Sequence, residues 1–231
     1  MKVLIATMTA LSTISLMANV CTWTGGARDG KWSSPGNWSA LPTATDEVEF
    51  DPGDGALDVT LDAVGLTTVS IVRVKSGKVT LSAVEGASLR ATGTNTSGLD
   101  VAVDAELVMA VPLDLNARFN KSGVGSVRFQ STLTNTDSGS SYFFDGKVFI
   151  EGDANLSFDG TLGLGLGKGA RAKVVVKDNA RLRVGNTLAT GHNDNKSAGA
   201  DLIVDGDGAT LTTWKLYLGS NTAPNRMSST A

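Results

Sequence analysis

The chain has 231 residues, with 20 Lys and Arg, 23 Asp and Glu, a formal net charge of −3 and 41% hydrophobic residues. The 27 glycines are too few for collagen, and the hydrophobic content excludes general disorder. One cysteine, Cys21, and one histidine, His192, exclude an intramolecular disulfide framework and a Cys/His zinc cluster. The mild acidity provides no basic face for nucleic acid. We predict a packed domain or repeat array without metal or cofactor.

Residues 1–18 have the pattern of an export signal. Lys2 precedes an uncharged, mostly apolar stretch, residues 3–17, and the small residue Ala18 marks the predicted cleavage site. The stretch is shorter than a membrane helix requires, and no later segment approaches that length. Acylation of Cys21 is disfavoured because the bulky Val20 precedes it. We expect an exported chain without a transmembrane helix in its mature form.

Residues 19–50 are rich in tryptophan. We interpret them as an N-terminal cap followed by a first strand, because bulky side chains can shield the open end of a repeat array. The alternative is a platform for stacking sugars, and its candidate residues are Trp23, Trp32 and Trp38.

Residues 51–221 are predicted to form a repeat of about 26 residues, with its clearest copies at 148–173, 174–201 and 202–221. A shift of 26 aligns Val148 with Val174 and Leu156 with Leu182 without a gap. The third copy needs a shift of 28 and a one-residue adjustment at Leu211. Upstream, a shift of 26 places Val101, Val103 and Leu107 on Val127, Phe129 and Leu133.

Apolar and polar residues alternate within each copy, as in strands with one buried face. Short strands, turn-rich corners and a constant repeat predict a right-handed parallel β-helix of about six or seven turns. An antiparallel β-sandwich is the alternative, although it does not explain the gapless match. We expect seven aliphatic side chains to stack inward: Leu156, Leu162, Val176, Leu182, Leu188, Val204 and Leu216.

Two segments carry a resemblance to a known family. The first is the strand pair at 204–212, followed by Leu216-Tyr217-Leu218-Gly219, and the second is the opening from Thr22 to Phe50 with its tryptophans and its Asp-Glu-Val-Glu-Phe strand. Both resemble the repeats of autotransporter passenger domains and related exported bacterial proteins. The resemblance implies a β-helix displayed at the outer membrane or released from it. A membrane barrel and a sorting tag, which would complete such a protein, are missing from the sequence.

Other candidate residues have simpler structural explanations. Asp51, Asp54, Asp205 and Asp207 suggest calcium, but turns explain them without an ion. His192 belongs to a predicted exposed corner, and Trp214 is expected to pack in a strand. Asp153 and Asp159, with Arg181 and Arg183 one turn later, could do acid and base work on a glycosidic bond. We interpret these four as turn and surface charges.

We therefore predict a secreted or surface-displayed scaffold that acts in adhesion or display and is not an enzyme. The alternatives are a carbohydrate-active β-helix enzyme and a sugar-binding module. Glycans or surface proteins are the expected partners. Residues 222–231 are expected to form a polar tail, which would leave the last turn open and allow self-association end to end.

Overall fold

A computed structural model describes residues 18–93, 98–165, 171–191, 199–218 and, for the backbone alone, 226–230. The predicted export signal, except for Ala18, lies outside these residues. The described residues include no helix long and apolar enough to cross a membrane.

The described residues form 22 strands and a single 3₁₀ turn at Pro35–Asn37. Numbered in chain order, the strands are β1 (Val20–Thr22), β2 (Glu47–Phe50), β3 (Ala56–Leu61), β4 (Gly65–Val69), β5 (Ile71–Val74), β6 (Lys78–Ala83), β7 (Ala87–Ala91), β8 (Leu99–Val101), β9 (Glu106–Met109), β10 (Leu113–Leu115), β11 (Asn120–Ser122), β12 (Ser126–Phe129), β13 (Leu133–Asn135), β14 (Ser140–Phe143), β15 (Gly146–Ile150), β16 (Asn155–Phe158), β17 (Thr161–Leu164), β18 (Arg171–Lys177), β19 (Arg181–Thr190), β20 (Gly199–Asp205), β21 (Thr210–Leu218) and β22 (Arg226–Thr230).

Every named strand pairs in parallel with a strand of the next or previous turn, so the chain is a parallel β-solenoid of about eight turns. From β2 onward, each complete turn contributes one strand to each of three faces. The first face contains β1, β2, β5, β8, β11, β14, β17 and the second halves of β19 and β21. The second face contains β3, β6, β9, β12, β15, β18, β20 and β22. The third face contains β4, β7, β10, β13, β16 and the first halves of β19 and β21.

The core lies inside the three faces and consists of rows of side chains that stack from turn to turn. On the third face the row is made of leucines: Leu89, Leu113, Leu133, Leu156 and Leu182, all of them buried. A leucine in one turn cannot bury its side chain alone, so the next turn supplies the apolar contact, and cooperativity runs along the axis.

Glycines at the corners allow successive turns to approach closely. Gly146 starts β15 with a φ of +76°, and a Cβ atom there would overlap the backbone of the previous turn at Gly125. Only glycine combines this backbone conformation with that contact at little cost.

The predicted register is confirmed in the clearest copies. Val148 pairs with Val174, Leu156 with Leu182, and Leu162 with Leu188. The one-residue adjustment is also present, because Leu182 pairs with Leu211 and the register shifts between Val184 and Thr187.

The constant repeat is wrong upstream. Leu107 pairs with Val127 and Leu113 with Leu133, so the turns there are shorter than the predicted repeat. In the C-terminal turns the predicted spacing is confirmed, because Val174 pairs with Leu202 and, after the one-residue adjustment, Arg181 pairs with Thr210. The spacing between paired residues varies from turn to turn, so a fixed shift of 26 does not hold along the whole chain. The shorter turns also explain why the solenoid has about eight turns, more than the six or seven predicted.

The end of the described solenoid differs from the prediction in four residues or segments. Leu216 is 39% exposed, because no strand of the described part of the chain pairs with the outer edge of β21. Val204 is only partly buried, although its strand β20 pairs with β22. Trp214 does not pack in the core and is 75% exposed. Within the predicted polar tail, residues 226–230 form β22 against β20, because main-chain hydrogen bonds at a strand edge do not need apolar side chains.

Candidate functional site

The N-terminal tryptophans pack against one another. Trp38 meets Trp23 and Trp32 edge to face, with ring centroids 4.8 and 4.9 Å apart, and lies 5.6 Å from Phe50. Its indole N–H donates to the carbonyl oxygen of Trp32 at 2.8 Å. Trp32 and Trp38 are 6% and 5% exposed, so a sugar could reach only part of Trp23. The three rings therefore pack against one another and against Phe50.

The acidic and basic residues proposed for glycosidic chemistry separate into two places. Asp153 and Arg181 line an open cleft of about 370 Å³, together with Asn155, Asn179 and Gly208. The cleft lies where the second face turns into the third, and it spans three successive turns. The amide nitrogen of Asn179 donates to the carboxylate of Asp153 at 3.2 Å. The cleft therefore offers a carboxylate, a guanidinium and amides to a polar ligand.

Asp159 and Arg183 lie at the other end of the third face. The Arg183 guanidinium donates to Asp159 and to the Ser157 hydroxyl, both at 3.0 Å. The four-residue strand β16 separates Asp153 from Asp159, which puts their Cα atoms roughly 15–20 Å apart. Acid and base carboxylates of glycosidases lie about 5–10 Å apart. Asp153 and Asp159 therefore do not form the pair that the sequence suggested.

The residues considered for calcium lie in turns. The Ser76 hydroxyl donates to Asp51 across successive turns, and Asp54 is exposed. Asp205 ends β20, and Asp207 follows in the corner above Asp178. Among the described residues, no three His, Cys, Asp or Glu side chains come together as a metal ion requires. His192 lies outside the described residues.

A buried lysine is the feature that sequence reasoning missed. Lys121 occupies an inward position of the first face, stacked between Leu99 and Phe143, and its side chain is fully buried. Its ammonium group donates to the carbonyl oxygens of Gly123, Gly125 and Asp145 at the corner between the first and second faces. The three N–H donors of the ammonium group match these three carbonyl acceptors, so the positive charge of Lys121 is stabilised without a hydrogen bond to a carboxylate.

Burial lowers the pKa of Lys121 to about 8, and the nearby carboxylates of Asp145 and Asp100 oppose part of that shift. The group remains largely protonated at neutral pH. The sequence contains one signal of this arrangement: glycines at 123 and 125 follow a polar strand that breaks the apolar alternation.

The outward charges of the second face form a continuous network across turns. Arg128 bridges Glu106 at 2.9 Å and Glu151 at 2.8 Å. Lys78 extends the network at one end and Lys177 at the other. A similar bridge on the first face joins Arg73 to Glu47 and Asp100. These ion pairs connect each turn to the next.

Comparison of the chain with family models, with curated proteins and with solved structures finds no match.

Proposed function

We propose that this protein is an exported β-solenoid scaffold that acts in adhesion or display outside the cell or at its surface. The observation that carries the proposal is the charge network from Lys78 to Lys177, which bridges successive turns on the outside of a continuous core. The buried rows of side chains and the ion pairs both join successive turns along the axis of the solenoid. The polar side chains of this face therefore make the rod more rigid. About eight turns give a rod of roughly 35 Å, at about 4.8 Å per turn.

The export signal and the resemblance to autotransporter passengers support the location. Export is tested by expressing the full chain in a bacterial host and fractionating the cells. We expect chain that begins at Asn19 in the periplasm or the medium, and a variant lacking residues 2–18 in the cytoplasm. Full-length chain that stays in the cytoplasm with an intact N-terminus would remove the basis for a surface role.

Adhesion is tested with beads that carry residues 19–231, either folded or heat-unfolded at equal density. We expect the folded chain to retain beads on glycan-bearing or protein-bearing cell surfaces. Equal retention by the unfolded chain would indicate nonspecific sticking and contradict the proposal. Stripping the surface glycans with glycosidases before the assay separates a glycan partner from a protein partner.

The second candidate is a carbohydrate-active protein, and the cleft at Asp153 and Arg181 is the observation that favours it. On the scaffold proposal, uronate and neutral polysaccharides are not cleaved by the purified chain, with or without calcium. Asp153→Asn and Asp159→Asn form a matched pair, because only the first residue lines the cleft. Cleavage that Asp153→Asn abolishes and Asp159→Asn preserves would establish the second candidate in place of the first.

A further inference from the structure

A second pocket lies at the corner between the first and second faces and has a volume of about 280 Å³. It spans the beginnings of β15, β18 and β20. Its charged side chains are three basic residues and two acidic residues: Lys147, Arg171, Lys173, Asp145 and Asp201. The remaining lining consists of Val124, Gly146 and Ala172.

The basic side chains of this pocket differ from those of the charge network. Lys147 and Lys173 are directly paired in register on adjacent strands, where like charges repel. Neither lysine, nor Arg171, has an ion pair within 4 Å to any described carboxylate. On the same face, the row at Arg128 places a carboxylate on each side of the basic residue. The lysine pair departs from this pattern, because Lys173 has a carboxylate, Asp201, in register on one side only and Lys147 has Ser126 on its other side.

The buried ammonium of Lys121 adds positive charge beneath this pocket. Gly146 lines the pocket, and a Cβ atom there would come within 2.5 Å of the Lys121 ammonium nitrogen. Burial limits screening by solvent, so the ammonium contributes to the potential in the pocket. The acidic side chains are arranged differently: Asp145 accepts backbone N–H bonds from Gly146 and Arg171, at 2.7 and 3.2 Å.

Asp201 supplies an acceptor of another kind. Its Oδ1 atom is buried and has no hydrogen-bond partner in the structure. Because Asp201 also lines the pocket, its carboxylate can accept a hydrogen bond from a hydroxyl group of a ligand.

We propose that this pocket binds an oxyanion carried by a hydroxylated ring, as in a uronic acid or a sulfated monosaccharide unit. The oxyanion lies against Lys147, Arg171 and Lys173, and a neighbouring hydroxyl donates to the carboxylate of Asp201. The volume is of the size that one such unit requires. The inference depends on this pocket alone and stands whether or not the chain is an adhesin.

Binding is tested on the chain of residues 19–231 by following backbone amide shifts in NMR titrations at low ionic strength. The probes are galacturonate, galactose 6-sulfate, galactose and inorganic sulfate. We expect the two acidic sugars to shift the amides of Gly146 and Ala172 and to bind at least about tenfold more tightly than galactose. The affinity should fall as salt is raised from about 20 to about 200 mM.

Three variants separate the contributions. Lys147→Gln combined with Lys173→Gln should weaken the binding of both acidic sugars by about tenfold or more. Lys31→Gln is the matched control, because it removes an exposed lysine at the other end of the same face and should leave affinity unchanged. Asp201→Ala removes the acceptor and a repulsive charge, so inorganic sulfate should bind more tightly and the preference for hydroxylated anions should shrink.

The possible contrary results are distinct. Equal binding of galactose and galacturonate, or equal loss in Lys31→Gln and in the lysine double variant, would overturn the anion site. Inorganic sulfate that binds as tightly as galactose 6-sulfate would overturn the hydroxyl contact at Asp201. No amide shift with any probe up to about 50 mM would overturn the whole proposal. A thermal unfolding curve for each variant shows whether a loss of binding reflects a loss of folding.

Discussion

Two inward rows of the solenoid solve the same packing problem in different ways. The third face stacks a leucine in each of five successive turns, from Leu89 to Leu182. The first face stacks Val72, Leu99, Lys121, Phe143 and Leu164, and so places an ammonium group in the middle of an apolar row. The difference shows that stacking constrains the backbone register more strongly than it constrains side-chain chemistry. A charge is tolerated where a corner offers carbonyl oxygens.

The largest expected effect comes from breaking the leucine row. Leu156→Ala removes a fully buried side chain between Leu133 and Leu182, and the stacked backbones cannot collapse onto the cavity. We expect a loss of about 3–4 kcal/mol in the free energy of unfolding, measured with chemical denaturant. Leu66→Ala, at an exposed position of β4, is the control and should cost less than about 1 kcal/mol. Equal losses in the two variants would contradict the row as the main stabilising element.

The lysine in the other row should make stability depend on pH. The pKa of Lys121 falls to about 8 in the fold, against an ordinary value of 10.5, so between these values the unfolded chain holds a proton that the folded chain has lost. Stability contributed by this group therefore rises with pH from about 8 to about 10.5, by up to about 3 kcal/mol. Below pH 8 both states are protonated, and the cost of the buried charge is constant.

The test compares the wild type with Lys121→Met across this pH range. Other lysines and tyrosines titrate in both proteins, so the difference between the two curves isolates Lys121. We expect the wild type to gain stability relative to the variant as pH rises. Parallel curves would show that the carbonyl contacts of Gly123, Gly125 and Asp145 keep the pKa near its ordinary value.

The two rows also differ in how far the sequence predicts them. Leu156 and Leu182 could be paired from sequence because the turn that joins them is 26 residues long, the length of the predicted repeat. Lys121 could not be, because β11 is polar throughout and the turn from Leu99 to Lys121 is shorter than the predicted repeat. Corner lengths follow local turn chemistry, which alternation of apolar residues does not encode.

The candidate sites show the same limit. The shift of 26 that aligned Val148 with Val174 also aligns Lys147 with Lys173, so the like-charge pair was visible in the sequence. The shift of 28 likewise aligns Lys173 with Asp201, and Arg171 lies two residues before Lys173 on β18, but the alignment does not show that these side chains line one pocket. Asp153 and Arg181 line the same cleft, as the sequence predicts. Asp159 lies outside that cleft, because strand β16 separates it from Asp153.

Breaking the charge network on the outside of the second face should lower the free energy of unfolding by less than breaking the leucine row. Arg128→Gln leaves Glu151, whose side chain is 9% exposed, with Lys177 and Gln130 as its remaining partners. We expect a loss of about 1–2 kcal/mol at pH 7. Burial raises the pKa of Glu151, but hydrogen bonds from Gln130 and Lys177 and the charge of Arg128 outweigh it and lower the pKa.

A carboxylate with a lowered pKa contributes stability above its unfolded value, near 4.5, and this contribution is lost as pH falls through the folded value. The difference between the wild type and Arg128→Gln should therefore be full at pH 7 and shrink below about pH 4.5. Denaturant unfolding at pH 7, 5, 4 and 3 checks the trend. A difference that stays constant down to pH 3 would show that Arg128 acts through packing on Phe149, over which it lies at 4.3 Å, and not through the carboxylates.

The smallest effect on the free energy of unfolding is expected at Arg183. Its ion pair with Asp159 is 3.0 Å long, close to the 2.9 and 2.8 Å of the Arg128 pairs, but it is exposed to solvent. The two side chains are 54% and 51% exposed. Water already solvates both charges, and ordering two long side chains costs entropy, so Arg183→Gln should change the free energy of unfolding by less than about 0.5 kcal/mol. The measurement is made beside Arg128→Gln at the same pH and at low and high salt. A loss at Arg183 as large as that at Arg128 would mean that exposure does not set the strength of these bridges and that every inter-turn pair contributes alike.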